Sequence, residues 1–217
     1  MARSTRSRQR LIEAAERLFS QRGIDAVSLA EITTEAQLNN TGAVHYYFGG
    51  RDELLDAIAD EHRVEIDRRR DELLDVLEAT GDTTTESLAR ALIQPLVDQL
   101  DDPRGRAFLS IQAQRHLRPR PTGAPASRRP LALRVLGLRE AGSATGSVAS
   151  LLNELALLLT YGALAQRARL EAGEPGRGDA LDRDTFVDHL VGAVVRVYAT
   201  DAPPRGRRAH GPSNTAK

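Results

Sequence analysis

Polar side chains that can bind a polyanion are concentrated in one stretch near the amino terminus, residues 28–51. Ser28 and Glu31 have the spacing of a capping box, which predicts a helix that starts at Ser28. Asn40 stands where a second helix would start after a polar turn. Backbone amides and the helix dipole at such starts attract phosphate groups. We therefore expect noncovalent phosphate binding from this stretch.

The second helix of the stretch, predicted to run from Thr41 to Phe48, would present side chains to base edges. Two short helices joined by a tight turn form a helix-turn-helix, whose second helix enters the major groove of DNA. Gly42 would cost about 1 kcal/mol inside a helix relative to alanine, so close approach to DNA is a reason for it. The residues predicted to contact DNA are Ser28, Asn40, Thr41, Gly42 and His45.

A preceding helix supplies the core that two short helices lack. Residues 10–22 carry one apolar stripe that ends at Gly23, a natural helix stop. Three helices thus fit into about fifty residues, as helix-turn-helix domains require. Before this helix, Arg3, Arg6, Arg8 and Arg10 form a basic arm suited to phosphates, although such a run is also typical of a solvated tail.

The segment from Arg6 to Leu55 resembles the TetR family of transcriptional regulators. The resemblance lies in RLIEAAERLFSQRGIDAVSLAEI and, after the turn, in VHYYFGGRDELL. Gln37 stands where the family usually has a glycine in the turn. The resemblance implies that Tyr46 and Arg51 contact the DNA backbone and that the protein pairs with a second copy of itself. Val44, Tyr47 and Phe48 are predicted to be core residues.

The remainder of the chain is predicted to be a larger all-α domain. Amphipathic helical patterns follow residue 51 without convincing strand alternation, and a proline-rich loop interrupts them at residues 118–130. We expect a DNA-binding domain over residues 1–51, a ligand-binding and dimerisation domain over 52–200, and a disordered tail over 201–217. The predicted helices of the larger domain span 52–79, 84–100, 103 to about 117, 131–140, 147–172 and 184–200.

The last two helices are apolar on more than one side, so each needs more than one packing partner. One face would pack within the chain and the other against the same helices of a second copy. The alternative is a deeply buried hairpin within a monomer. The residues predicted at the dimer interface are Leu151, Leu155, Leu158, Val187, Val191 and Val194.

Polar residues embedded in the apolar helices are the candidates for contact with a small-molecule effector. Ligand pockets are mostly apolar with a few polar groups, and an ordinary buried hydrogen bond would give the same pattern. These candidates are Gln94, Gln112, His116, Asn153 and Tyr161. The sequence does not identify the effector.

Composition bounds the remaining classes of function. The chain has 217 residues, 41% of them hydrophobic, which is enough for a sizeable core. It has no cysteine, no signal-peptide pattern and no apolar run near the roughly 20 residues of a membrane span, so we expect a cytoplasmic protein without a membrane partner.

Catalysis has little support in the sequence. The five histidines are dispersed, and none belongs to a zinc-protease motif. We therefore predict no catalytic site, no metal and no cofactor. The predicted function is a dimeric, ligand-responsive repressor that binds a palindromic DNA operator. The alternative is a helical small-molecule-binding or interaction protein with a degenerate DNA-binding module.

Overall fold

The fold is known from a computed structural model that describes residues 2–40, 42–82, 84–118, 146–173 and 181–199. The regular structure in these ranges is entirely helical, which confirms the predicted all-α class. The helices are α1 (Ala2–Arg22), α2 (Leu29–Glu35), α3 (Ala43–Phe48), α4 (Arg51–Thr80), α5 (Thr85–Val97), α6 (Pro103–Leu117), α7 (Gly146–Glu171) and α8 (Arg183–Ala199).

Helix α1 is longer than its apolar stripe predicts. It begins at Ala2 instead of near Arg10, so the basic residues before Arg10 are helical. Phe19 is fully buried on the stripe that faces the other two helices of the motif. The helix stops as predicted, because Gly23 adopts a left-handed backbone with φ 92°.

Helices α2 and α3 complete the first hydrophobic core with α1. Ile32 and Val44 are both fully buried there. The predicted capping box is confirmed, since the Ser28 hydroxyl oxygen accepts the Glu31 amide at 3.2 Å and the Glu31 carboxylate accepts the Ser28 amide at 2.8 Å. The cap fixes where α2 starts and thus how the turn after it leaves the core.

Helix α4 connects the two parts of the chain, as predicted. Its first two turns place Leu54 and Ile58 in the first core, whereas Ile66 lies in a second core. It ends where Gly81 adopts a left-handed backbone with φ 69°. A single 30-residue helix therefore spans both cores.

The second core lies among α4, α5, α6, α7 and α8, with α6 packed on α7 and α5 on α8. Pro95 lies inside α5, which passes into a 3-10 turn at Asp98–Asp101. The turn approaches α6 closely, because a Cβ on Gly105 would overlap the Gln99 carbonyl oxygen. Gly105 therefore permits the tight entry into α6.

Helix α6 also contacts the first core, a feature that the sequence did not predict. Ile111 is fully buried among residues of α1 to α4. Gln114 accepts the Ile24 amide at 2.9 Å and donates to the Phe19 carbonyl at 3.4 Å. These bonds satisfy backbone groups at the end of α1, so the larger domain stabilises that helix end.

Three predicted segments lie outside the described residues, namely the proline-rich loop over 118–130 apart from Arg118, the helix over 131–140 and the disordered tail over 201–217. The predicted domain boundaries remain predictions. Within the described ranges, no helix is both long enough and apolar enough to cross a lipid bilayer.

Candidate nucleic-acid interface

Helix α3 has one buried side and one exposed side, as a recognition helix needs. Val44 is fully buried, while the Tyr46 side chain is 78% exposed and His45 is also exposed. Tyr47 and Phe48 are partly buried against the first core, as predicted. The Tyr46 ring meets the Tyr47 ring edge-on at 4.9 Å between centroids, so a core residue supports the exposed one.

The start of α3 differs from the sequence prediction. The helix begins at Ala43, and its N-cap is Gly42, not Asn40. The Asn40 side chain instead accepts the Gly42 amide at 3.0 Å, a local turn contact that competes with capping. Gly42 therefore lies outside the helix interior, and the helix-propensity argument for it is wrong. Thr41 lies outside the described residues.

The hydroxyl of Ser28 is already hydrogen-bonded within the protein. It donates to Glu31 Oε2 at 2.8 Å, and Glu31 also pairs with Arg22 at 2.8 Å. Hydrogen bonds from the Ser28 backbone, the Ser28 side chain and the Arg22 side chain lower the pKa of Glu31 to about 2. A carboxylate at this helix start occupies part of the site predicted for a phosphate, so the structure favours a capping role for Ser28.

Arg51 is turned towards the protein, in contrast to the phosphate contact that the family resemblance implies. Its guanidinium donates to the Ile24 carbonyl oxygen and lies 5.7 Å from the centre of the Phe19 ring. These contacts connect the start of α4 to the end of α1. The geometry therefore favours a structural role for Arg51.

The amino-terminal part of α1 carries basic residues beside the recognition helix. The Arg8 guanidinium lies 5.0 Å from the centre of the Phe48 ring, and Arg6 is exposed. Arg10 donates to the backbone carbonyl of Gln37 at 3.4 Å and to its side-chain Oε1 at 3.1 Å. Basic side chains thus lie on helix α1, next to the turn that precedes α3.

Two features lie at the end of α2 and in the turn that follows it. Gln37 has a left-handed backbone with φ 54°, at the position where the family usually has glycine. Glu35, an unfavourable residue near DNA, pairs with Arg17 at 2.8 Å. The ion pair offsets the negative charge of Glu35 beside the proposed interface.

The effector candidates separate into a group and two isolated residues. His116 stacks on Tyr161 at 5.1 Å between ring centroids, and Gln112 lies one helical turn before His116. Gln94, by contrast, donates to Asp98 within its own segment at 2.9 Å. Asn153 is half-buried, two turns before Tyr161 on α7.

The residues predicted at the dimer interface differ in burial between α8 and α7. Val187, Val191 and Val194 are buried in the chain's own second core, so their assignment to an intermolecular surface is wrong. The sequence could not show which apolar face of α8 turns inward. On α7, Leu151 and Leu155 are 54% and 44% exposed, while Leu158 is half-buried.

A buried polar cluster between the two cores was missed by sequence reasoning. Glu16 of α1, 2% exposed, accepts His62 Nε2 at 2.6 Å and Arg104 Nε at 2.8 Å. His62 Nδ1 lies 3.0 Å from Gln99 Oε1. One sequence feature could have predicted this cluster: Glu16 is an acidic residue on the apolar stripe of α1, between Ile12 and Phe19.

Comparisons with known proteins agree with this geometry. The family model of bacterial regulatory proteins, tetR family, matches residues 11–58. HTH-type transcriptional regulator SrpR of Pseudomonas putida is 28% identical over 112 residues, which are 51% of this chain and 47% of SrpR. The chain thus spans about half the length of that relative.

Further matches extend the comparison. TtgW, an uncharacterized HTH-type transcriptional regulator of a Pseudomonas putida strain, is 28% identical over 112 residues, or 51% of this chain and 75% of TtgW. The crystal structure of a TetR-family regulator (SCO0857) from Streptomyces coelicolor A3 is 22% identical, with a TM-score of 0.46 over 90% of this chain and 96% of that chain.

The capped α2, the turn and the half-buried α3 all lie within the matched residues 11–58. The predicted resemblance is therefore confirmed for residues 11–58, which match the model of bacterial regulatory proteins, tetR family, and lie in a chain similar to two HTH-type transcriptional regulators.

Proposed function

We propose that the protein is a cytoplasmic transcriptional regulator that binds a near-palindromic DNA operator as a homodimer and releases it when an effector binds. The observation that carries the proposal is the exposed side of α3, where His45 and Tyr46 project from a helix seated on a hydrophobic core. A recognition helix needs this combination of a fixed base and free side chains.

The roles proposed for the two residues differ. The His45 ring bonds through Nδ1 to the Gly49 carbonyl at 2.9 Å, which makes Nδ1 the donor and orients Nε2 for a base edge. Tyr46 is proposed to contact a phosphate through its hydroxyl. Arg6 and Arg8 on α1 would add sequence-independent attraction.

The proposed dimer uses the outer face of α7, where Leu151 and Leu155 are exposed. Large apolar side chains that lie in water on one helix face favour a protein partner. Two-fold pairing of helix-turn-helix domains matches the symmetry of a palindromic operator. An effector would act by its preference for one arrangement of the two domains.

The test is selection of DNA from a randomised pool by the full-length protein, followed by titration of the selected duplex. We expect Tyr46→Ala to weaken binding, and His45→Ala to change which bases are selected. Val64→Ala is the matched control, because Val64 is an exposed apolar residue on α4, 74% accessible and away from α3. A pool that never converges, or a selected site that the two variants bind like wild type, would favour the degenerate-module alternative.

A further inference from the structure

One face of α6 meets Tyr161 of α7 through a regular series of side chains. Phe108, Gln112 and His116 recur at intervals of four residues on α6. His116 stacks on the Tyr161 ring, with 5.1 Å between centroids and 23° between planes, and Phe108 meets the same ring edge-on at 6.3 Å. Because Gln112 lies one turn from each, its side chain faces the same region of α7.

This region contains hydrogen-bond donors without acceptors. Gln112 is 5% exposed, and its Nε2 has no hydrogen-bond partner in the described part of the chain. The Nε atom of Arg70, on α4, is also buried and also has no hydrogen-bond partner among the described residues. Folded proteins rarely leave buried donors unmatched, and both unmatched atoms here are donors. The missing group is therefore an acceptor.

The electrostatics of the region favour an anion. Burial raises the pKa of the Tyr161 hydroxyl, while the nearby guanidinium groups of Arg70, Arg63 and Arg115 act in the opposite direction. Arg70 lies one turn after Ile66, which is buried in the second core against which Tyr161 packs. Of the three guanidinium groups, that of Arg70 has the largest effect on the pKa of Tyr161. Asp67 opposes them and pairs with Arg70 Nη1 at 2.7 Å, leaving Arg70 Nε for another acceptor.

We propose that Arg70, Gln112, His116 and Tyr161 form a binding site for a small planar aromatic carboxylate. The carboxylate would accept hydrogen bonds from Gln112 Nε2 and Arg70 Nε, and the aromatic ring would stack beside His116 and Tyr161. This inference rests on the proposed ligand-responsive function and names the chemical class of its effector. Arg70 lies on α4, the helix that continues directly from the DNA-binding module, so occupancy of the site bears on that helix.

The test uses benzoate as the anionic probe, with benzamide as its neutral and benzylamine as its cationic counterpart. Calorimetric titration of the full chain is expected to show benzoate bound at least tenfold more tightly than either counterpart. Arg70→Met is expected to weaken benzoate about tenfold or more, the usual effect of losing a hydrogen bond to a charged group. Arg69→Met is the matched control, since Arg69 neighbours Arg70 but pairs on the surface with Glu72.

Two further variants protect the test from misfolding. Arg70→Lys keeps the positive charge but lacks the Nε donor, and Gln112→Leu removes the second donor with little change in volume. Each variant is expected to bind benzoate more weakly than wild type and to keep the circular dichroism spectrum of wild type. Equal benzoate affinity in wild type and Arg70→Met, or no preference for benzoate over benzamide, would overturn the proposal.

Failure of the effector class is separable from failure of the regulatory function. The operator selected from the randomised pool is titrated with the unliganded protein in parallel. Operator binding without benzoate binding would contradict the aromatic carboxylate alone. If the protein binds neither the operator nor benzoate, both the proposed DNA-binding function and the aromatic carboxylate site are contradicted.

Discussion

At the scale of single residues, Gln37 has the most unusual backbone in the turn that leads to α3. Its φ of 54° is left-handed, a conformation that costs a non-glycine residue about 1–2 kcal/mol. Its side chain gains a hydrogen bond from Arg10 at 3.1 Å, and its carbonyl gains another at 3.4 Å. Gln37 thus combines an unfavourable backbone with a contact that glycine cannot make.

The paired variants Gln37→Gly and Gln37→Ala separate these two effects. Both lose the contact from Arg10 to the side chain, but only glycine relieves the left-handed backbone. We expect the glycine variant to be more stable than the alanine variant by about 1 kcal/mol in urea unfolding. Equal stability would show that the backbone at residue 37 is not strained.

At the scale of elements, the start of α2 depends on one carboxylate. The pKa of Glu31 is held at about 2 instead of its ordinary 4.5, chiefly by hydrogen bonds from the Ser28 backbone and side chain. A lowered pKa in the folded state means that the stabilisation is present above about pH 4.5. It is lost as the pH falls towards 2, because the folded state must then take up the proton as well.

Glu31→Gln should therefore destabilise the protein at pH 7 and have a smaller effect at pH 3. The reason is that protonation of Glu31 progressively removes the charged cap that the variant lacks at every pH. Unfolding free energies of wild type and variant, measured from pH 3 to pH 7, give this difference directly. Thr85→Ala, a substitution at the start of α5, serves as the control, and a difference independent of pH would contradict the assigned pKa.

Helices with strong terminal signals could be predicted from sequence, and α3 could not be predicted to the residue. Ser28, Gly23, Gly81 and the Asp102–Pro103 pair mark boundaries that the structure reproduces. Asn40, in contrast, suits both a cap and a turn, and its side chain bonds within the turn. The choice between these depends on the packing of α3 against α2 and α4, which no local pattern encodes.

At the scale of the whole molecule, the two cores are joined by charge as well as by α4. Glu16 of α1 accepts hydrogen bonds from His62 on α4 and Arg104 on α6, and Arg104 also pairs with Glu61 at 2.9 Å. The sequence predicts α4 as the connection between the two parts but does not predict this cluster. Glu16 and Arg104, which contact each other, are 88 residues apart in the chain. Such contacts depend on tertiary packing alone.

Glu16→Ala is expected to destabilise the protein by about 1–3 kcal/mol, because it removes the buried acceptor of His62 while Arg104, 47% exposed, keeps its pairing with Glu61. Glu35→Ala is the matched control, because Glu35 also pairs with an arginine but at an exposed position. We expect the control to cost less than about 1 kcal/mol. Similar losses for both variants in denaturant unfolding would contradict the importance of burial at Glu16.

Assembly can be tested with one exposed and one buried apolar residue. Leu155→Arg is expected to give a folded monomer, because Leu155 is 44% exposed on the proposed dimer face of α7. Val194→Arg is expected to unfold the larger domain, because Val194 is 4% exposed within its own core. Sedimentation and circular dichroism together distinguish the outcomes, and a wild-type monomer at micromolar concentration would contradict the proposed interface.

Two α3 helices of a dimer are proposed to read one operator, and hydroxyl-radical footprinting of the selected duplex shows whether they do. Recognition helices on one face of DNA must be about 34–36 Å apart or a multiple of that spacing. We predict two equivalent protected segments related by two-fold symmetry and separated by whole helical turns, with both lost in Tyr46→Ala. A single unsymmetrical protected segment, or a footprint that Tyr46→Ala leaves unchanged, would contradict the claim.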